Sequence, residues 1–235
     1  MATKPRYFET RFAYHVFNCG TAKRSIFRKT HDYQKFLSVV SFYTHQQAIK
    51  LSRFNTLDVS DQKKYLNDNP RNSETKRISL LAFCLMPNHF HFLIRPCTGG
   101  NLSTALSDIA NSYTKYFNKR YKRMGRLFQG PFKSKKLEGD GNVLNVSRYI
   151  HLNPVLSSKT NPEQSTDRLF SYPYSSYINW TKDFSHSDIV DATRLKNWVK
   201  LAGGQEKYKQ FVKDGLNKNY KNGVSKTLYL EESVN

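Results

Sequence analysis

The sequence predicts an α+β protein with one four-stranded antiparallel sheet, helices on one face of it, and a helical C-terminal appendage. Three observations carry that prediction. Short aromatic and β-branched runs alternate with two segments whose apolar residues recur every three or four positions, so the hydrophobic period switches between those of strand and helix. Pro87-Asn88 separates two of the apolar runs with a turn-forming pair and makes them an antiparallel hairpin. The resulting order of strand, helix, strand, strand, helix, strand is the βαββαβ arrangement of a ferredoxin-like domain.

In chain order, "RFAYHVFNC" (11–19) is aromatic and β-branched and ends at Gly20, as a strand does. Over 30–50, Phe36, Leu37, Val40, Tyr43 and Ala48 fall near helical spacing, with Thr30 or Asp32 available as N-cap. Residues 52–75 are polar, contain Asn-Pro and lack a clean period, so they read as a loop or short helical insertion. "KRISLLAFCLM" (76–86) and "HFHFLIRP" (89–96) are the hairpin strands. From Asn101 to Met124, the residues Leu102, Ala105, Leu106, Ile109, Tyr113 and Phe117 trace the apolar stripe of a long helix that Gly125 closes. "RLFQGPFKSKKLE" (126–138) reads as a strand whose Gly-Pro kink confines it to an edge or a bulge. "GDGNVLNVSRYIHLNPV" (139–155) reads as a short helix stopped before Pro154, because the residue preceding proline resists the α conformation. Residues 1–155 form the main domain in this reading. Residues 156–235, with the tyrosine-rich "SYPYSSYINW" and a helical 191–215, form an appendage packed on it.

Charge narrows the partner. The 38 Lys and Arg against 18 Asp and Glu give a formal net charge of +20, which favours a polyanion, and nucleic acid first. The basic residues are interleaved with tyrosine and phenylalanine rather than gathered on one amphipathic, lipid-seeking helix. Lys115, Lys119, Arg120, Lys122, Arg123 and Arg126 crowd the end of the long predicted helix beyond what compensating its dipole requires, so that end is expected to meet phosphate. Lys133 and Lys135 continue the basic run. "MATKPRYFETRF" lacks the apolar stretch of a signal peptide and no run is long enough to span a membrane, so the expected location is cytoplasmic, with no membrane partner. Cys19, Cys84 and Cys97 are odd in number and never spaced C-x-x-C, which gives neither a disulfide framework nor a thiolate zinc site.

The hairpin strand holds the chemical signal. In "LMPNHFHFLIRP" (85–96), strand alternation puts His89 and His91 on one face and Phe90 and Phe92 on the other. Two satisfied core histidines are the plain interpretation. Burying two imidazoles side by side is costly unless they gain partners, and a divalent cation bound by one nitrogen of each would provide them. Two nitrogens are too few to hold a catalytic metal, so a third ligand is expected from an element packed on the same face. In the helix near 141–152, Val143, Val146 and Ile150 form the docking stripe, and Asn145, Tyr149 and Asn153 form an i, i+4, i+8 row along its edge. Spacing alone leaves open that Tyr149 is a boundary aromatic and Asn153 a helix cap.

The motifs "MPNHFHFLI", "YFNKRYKRMGRLFQGPFK" and "SRYIHLNPV", in this order, resemble those of the HUH single-tyrosine transposases, in particular the REP-associated tyrosine transposases of the IS200-like group. The likeness runs from about Tyr14 to Val155, some 60 % of the chain. It implies that His89 and His91 are metal ligands, that Asn153 supplies the third ligand, and that Tyr149 is the nucleophile. The sequence departs from the family where "FNCGTAKRSIF" lacks an Arg-Gly-Asn and "NPVLSSK" lacks an Arg-Ala-Gly continuation. The implied activity is metal-dependent cleavage and rejoining of single-stranded DNA through a covalent 5′-phosphotyrosine. Imidazole, amide oxygen and phosphate together suit Mg²⁺ or Mn²⁺. Single-stranded or hairpin DNA is the expected partner, with Lys115, Lys119, Arg120, Arg123, Arg126, Lys133 and Lys135 as its contacts. The sequence leaves monomer and homodimer open. The competing class is a non-catalytic nucleic-acid binder on the same scaffold, in which "RLFQGPFK" stacks bases; a second is a hydrolase that releases product to water.

Overall fold

The computed structural model describes residues 7–97, 101–156, 162–182 and 189–217. The first residues of "MATKPRYFETRF" and the chain beyond 217 lie outside them. The elements are β1 (Ala13–Cys19), α1 (Thr30–Tyr43), α2 (Leu51–Phe54), α3 (Val59–Asp68), β2 (Ile78–Met86), β3 (His89–Pro96), α4 (Leu102–Arg120), β4 (Lys133–Leu137), α5 (Asp140–Leu156), α6 (Pro162–Ser171), α7 (Tyr177–Thr181), α8 (Ala192–Leu201) and α9 (Gln205–Asn217). The strands form one antiparallel sheet in the order β2-β3-β1-β4, the ferredoxin-like arrangement that the sequence predicts.

One face is the aromatic core. Phe90 and Phe92 point into it and meet Phe36 of α1 at ring-centroid distances of 5.3 and 6.0 Å, while Tyr113 of α4 meets Phe36 edge-on at 4.8 Å. These rings are buried, and truncating any one of them would cost about 3–5 kcal/mol. The opposite face is covered by α5, which packs on β2 and β3. With both faces covered, every residue of β2 is buried, which explains the unbroken apolar run "ISLLAFCLM". The outer edge of β2 is capped by C-terminal backbone. Leu85 N–H donates to the Tyr174 carbonyl, and the N–H groups of Ser176 and Asp191 donate to Phe83 and Leu80.

Several boundaries differ from the sequence expectation. Helix α1 ends at Tyr43, not near 50, and Asp32 sits at its third position rather than at the N-cap; its carboxylate reaches back to the N–H groups of Arg28 and Lys29. The polar stretch 52–75 contains α3 and most of the short α2, the helical alternative. Helix α4 stops at Arg120, five residues before Gly125. The strand expected over 126–138 is confined to Lys133–Leu137, because the proline-containing segment before it is tied across the end of β1 by Gln129 N–H to the Cys19 carbonyl and Asn18 Nδ2 to the Gly130 carbonyl. As the Gly-Pro kink requires, β4 is an edge strand. Helix α5 does not stop before Pro154 but runs through it to Leu156. The helix expected over 191–215 is two, parted by Gly203 and Gly204 at φ +86° and +100°, a region that glycine enters freely.

Candidate active site

The site lies between the α5 face of the sheet and α5 itself. Register places its residues: Phe17 of β1 and Cys84 of β2 flank His91, Cys19 and Met86 flank His89, and His15 pairs with Leu93. Because cross-strand partners share a face, His15, His89 and His91 all project from one side. On β4, Lys135 stands opposite His15 and Lys133 opposite Phe17, so both lysines belong to this face too. The rings of His89 and His91 are 5.0 Å apart and nearly perpendicular, at 83°. His91 is fully buried and His89 half-buried at the hairpin end.

Each of the two histidines has a nitrogen oriented by a neighbour. His89 Nδ1 lies 2.7 Å from Asn88 Oδ1, an acceptor, so this nitrogen carries the hydrogen and Nε2 is the atom suited to a cation. His91 Nδ1 lies 3.0 Å from Nε2 of His15, whose ring is stacked on it at 5.2 Å and 1 % exposed. His15 is the residue that sequence reasoning missed. The signal that could have found it was a histidine at the centre of an otherwise apolar strand, on a face that only the β1–β3 register reveals.

Tyr149 comes from α5, whose stripe of Val143, Val146 and Ile150 docks on the sheet as its period predicts. Its ring meets His91 edge-on at 5.4 Å and His15 at 5.9 Å, and it is 7 % exposed. One turn later Asn153 is buried, and its Nδ2 donates to the Tyr149 carbonyl at 3.0 Å. Asn153 is therefore not a terminal cap. With Nδ2 committed, Oδ1 is the amide atom that suits a hard cation. The preceding residue of the edge row, Asn145, is bonded to Arg148, whose guanidinium covers the Phe211 ring at 4.0 Å and so faces α9.

Helix α5 is buried on nearly every side because the C-terminal helices cover its outer surface. His151 sits between Tyr208 Oη at 2.8 Å and Ser176 Oγ at 3.0 Å, and burial pulls its pKa down to about 3, so it is neutral and structural. The structure thus brings His89, His91, Tyr149, Lys133 and Lys135 to one face. It sets Lys115, Lys119 and Arg120 on α4, which packs on the other face, while Arg123 and Arg126 lie on the segment leading from α4 to β4. Among the described residues, no group of three His, Cys, Asp or Glu side chains is arranged as a metal site. Imidazole and amide oxygen, the donor types that His89, His91 and Asn153 carry, suit a cation with open positions better than a closed structural site. Cys84 and Cys97 are buried, and Cys19 is half-buried, with its Sγ donating to Gln129 Oε1.

Residues 53–153 match the family model described as Transposase IS200 like, a span that includes His89, His91, Tyr149 and Asn153, and the resemblance to these DNA-processing proteins is thereby shown over that segment. Among solved structures, the chain is similar to that of a REP-associated tyrosine transposase bound to a REP hairpin, with 16 % identity, a TM-score of 0.49, and coverage of 75 % of this chain and 82 % of that one. No curated protein matches the chain. No described helix is long and apolar enough to cross a membrane.

Proposed function

We propose that the protein cleaves and rejoins single-stranded DNA through a covalent 5′-phosphotyrosine on Tyr149, with Mg²⁺ or Mn²⁺ held by His89, His91 and Asn153. One observation carries the reading: the Tyr149 ring packs edge-on against His91, on the sheet face that His89 shares, within a segment that matches the IS200-like transposases. Tyr149 Oη attacks the scissile phosphorus, a phosphotyrosine bond forms, and the 3′-oxygen leaves as a free hydroxyl. The phosphodiester energy is retained, so a second 3′-hydroxyl can reverse the attack and join strands without ATP.

A phenol of pKa about 10 is a poor nucleophile at neutral pH. The bound cation would supply Lewis-acid polarisation of the phosphate. The chain's own residues do the rest. Stacking between His15 and His91 orients one of the proposed ligands, Asn88 orients the other, and α5 holds Tyr149 against His91 and His15. Lys133 and Lys135, on the same face, lie where they can bind the phosphates of the strand beside the cut.

The test is to incubate the protein with labelled single-stranded hairpin DNA and Mn²⁺ and look for an adduct that survives denaturation. An adduct is expected for the native protein and none for Tyr149→Phe, which removes one hydroxyl and little packing volume. Adduct formation at the native rate in Tyr149→Phe ends the assignment.

A further inference from the structure

One exposed side chain at the open end of the site has no part in the cleavage reading. Gln129 belongs to the segment between α4 and β4, and that segment is pinned along the end of β1. Thr21 N–H donates to the Leu127 carbonyl at 2.9 Å, Gln129 N–H to the Cys19 carbonyl at 2.9 Å, and Asn18 Nδ2 to the Gly130 carbonyl at 3.0 Å. The side chain is held as well, because Cys19 Sγ donates to Gln129 Oε1 at 2.8 Å. A thiol donates while its sulfur is only a weak acceptor, so the amide turns its oxygen to Cys19 and its Nε2 away. Among the described residues, nothing accepts from that Nε2. An exposed amide fixed at its backbone and at its oxygen is arranged to donate to an acceptor that arrives from outside.

Strand register selects the acceptor. Cys19 is the cross-strand partner of His89, so its thiol, and the amide that it holds, lie on the face that carries His89, His91 and Tyr149. Cross-strand Cβ atoms are about 5 Å apart and a hydrogen bond extends about 3 Å beyond Sγ, which puts the Gln129 amide roughly 8 Å from His89. A phosphate fills that gap when one non-bridging oxygen is on a cation at His89 and the other accepts from Nε2. Backbone ties the two sides together: Gly20 N–H donates to the Asn88 carbonyl at 2.8 Å, and Asn88 Oδ1 lies 2.7 Å from His89 Nδ1. The segment that carries Gln129 and the histidine that it faces are therefore held in one frame. Lys133 stands opposite Phe17, two residues along β1 from Cys19, so a strand held by Lys133 passes Gln129 about 7 Å further on.

We infer that Gln129 Nε2 donates to a non-bridging oxygen of the scissile phosphate, stabilising the charge that gathers there as Tyr149 Oη attacks, and that Cys19 is the positioning residue that aims it. The inference rests on the proposed cleavage reading for the identity of that phosphate. Fixed donors placed where charge develops are among the stronger contributions that an active site makes, because they need no reorganisation as the reaction proceeds.

The experiment compares single-turnover adduct formation by the full chain on labelled single-stranded hairpin DNA with Mn²⁺. Gln129→Ala is expected to slow it about 10- to 100-fold, toward the low end of what losing one oxyanion donor costs, since this side chain is exposed to water. Its Mn²⁺ midpoint, read by electron paramagnetic resonance, and its melting temperature should stay native. Cys19→Ser keeps a donor to Oε1 and should retain most of the rate, whereas Cys19→Val should lose as much as Gln129→Ala, and the two changes together no more than either alone. A readout without turnover uses Tyr149→Phe in EDTA, where no cation discriminates between phosphate oxygens. Its probe is the same DNA carrying a methylphosphonate of either configuration at the link where the native protein forms its adduct. The configuration that lacks the oxygen facing Nε2 should bind about tenfold more weakly than the other, and adding Gln129→Ala should abolish the difference. A native rate in Gln129→Ala, a shifted Mn²⁺ midpoint in that variant, or a configurational preference that survives it overturns the inference. Absence of an adduct with the native protein ends the cleavage reading and this inference with it, whereas a native adduct beside an unaffected Gln129→Ala ends this inference alone.

Discussion

His15 Nε2 and His91 Nδ1 lie 3.0 Å apart with both rings buried, so each histidine fixes how the other can be protonated. If His91 offers Nε2 to a cation, its Nδ1 must carry the hydrogen and donate to His15. That contact holds both the tautomer and the ring orientation of the ligand. His15→Ala is expected to raise the Mn²⁺ concentration needed for adduct formation 10- to 100-fold. His15→Gln, whose amide oxygen accepts the same hydrogen bond, should recover part of the loss. Electron paramagnetic resonance of Mn²⁺ reads the binding directly. Native binding with an unchanged midpoint in His15→Ala would reduce His15 to a packing residue.

Lys133 and Lys135 share the site face, whereas Lys115 and Lys119 lie on the helix packed against the other. Neutralising Lys133 and Lys135 to Gln should therefore lower the salt slope for single-stranded DNA by about 1.4, near 0.7 per contact, and slow adduct formation. A slope that stays at the native value places the single strand elsewhere.

Much of this site is legible from local pattern. The period of two separates His89 and His91 from Phe90 and Phe92, and the period of 3.6 puts Tyr149 and Asn153 on one edge of α5. What local pattern does not carry is set by contacts distant in sequence. His15 is 76 residues from His91, and only strand register makes them neighbours. Helix α5 passes through Pro154 because it is buried between the sheet and the C-terminal helices, with Ser147 and His151 both bonded to Tyr208, 61 and 57 residues away. That packing outweighs the local resistance of the residue before proline. The Gly203-Gly204 break is visible in the sequence, but the helical period on either side of it masks the interruption.

Asp32 makes acid sensitivity predictable. Burial alone pushes its carboxyl pKa up, but hydrogen bonds from Tyr121 Oη, the Arg28 N–H, Tyr116 Oη and the Lys29 N–H outweigh that and hold it below 3.8. A depressed carboxylate contributes stability that is present above its unfolded pKa and lost as pH falls through the folded value. Urea midpoints should therefore decline below about pH 4 in the native protein, and the decline should be shallower in Asp32→Asn. At neutral pH, Asp32→Asn should cost about 1–3 kcal/mol, because at least one buried donor loses a charged acceptor. Equal acid limbs in the two proteins would remove Asp32 from the account.

Asn153 is where ligand and structural roles can be separated most sharply. Its Nδ2 donates to the Tyr149 carbonyl inside a helix that continues to Leu156, so any structural role is a strap one turn long rather than a cap. Losing that strap in Asn153→Ala should cost about 1 kcal/mol, read as a small drop in melting temperature. If Oδ1 is also the third ligand, the same change should raise the Mn²⁺ concentration for half-maximal adduct by an order of magnitude or more. Asn153→Asp distinguishes the two functions, because it supplies a charged ligand oxygen while removing the donor to Tyr149. It should bind Mn²⁺ at least as tightly as the native protein yet be less stable, since a carboxylate then faces the carbonyl that Nδ2 had satisfied. It should also turn over more slowly, because added negative charge dulls the cation's pull on the phosphate. A metal titration beside a thermal melt separates the two roles: a stability loss with an unmoved Mn²⁺ midpoint in Asn153→Ala leaves Asn153 as a strap alone.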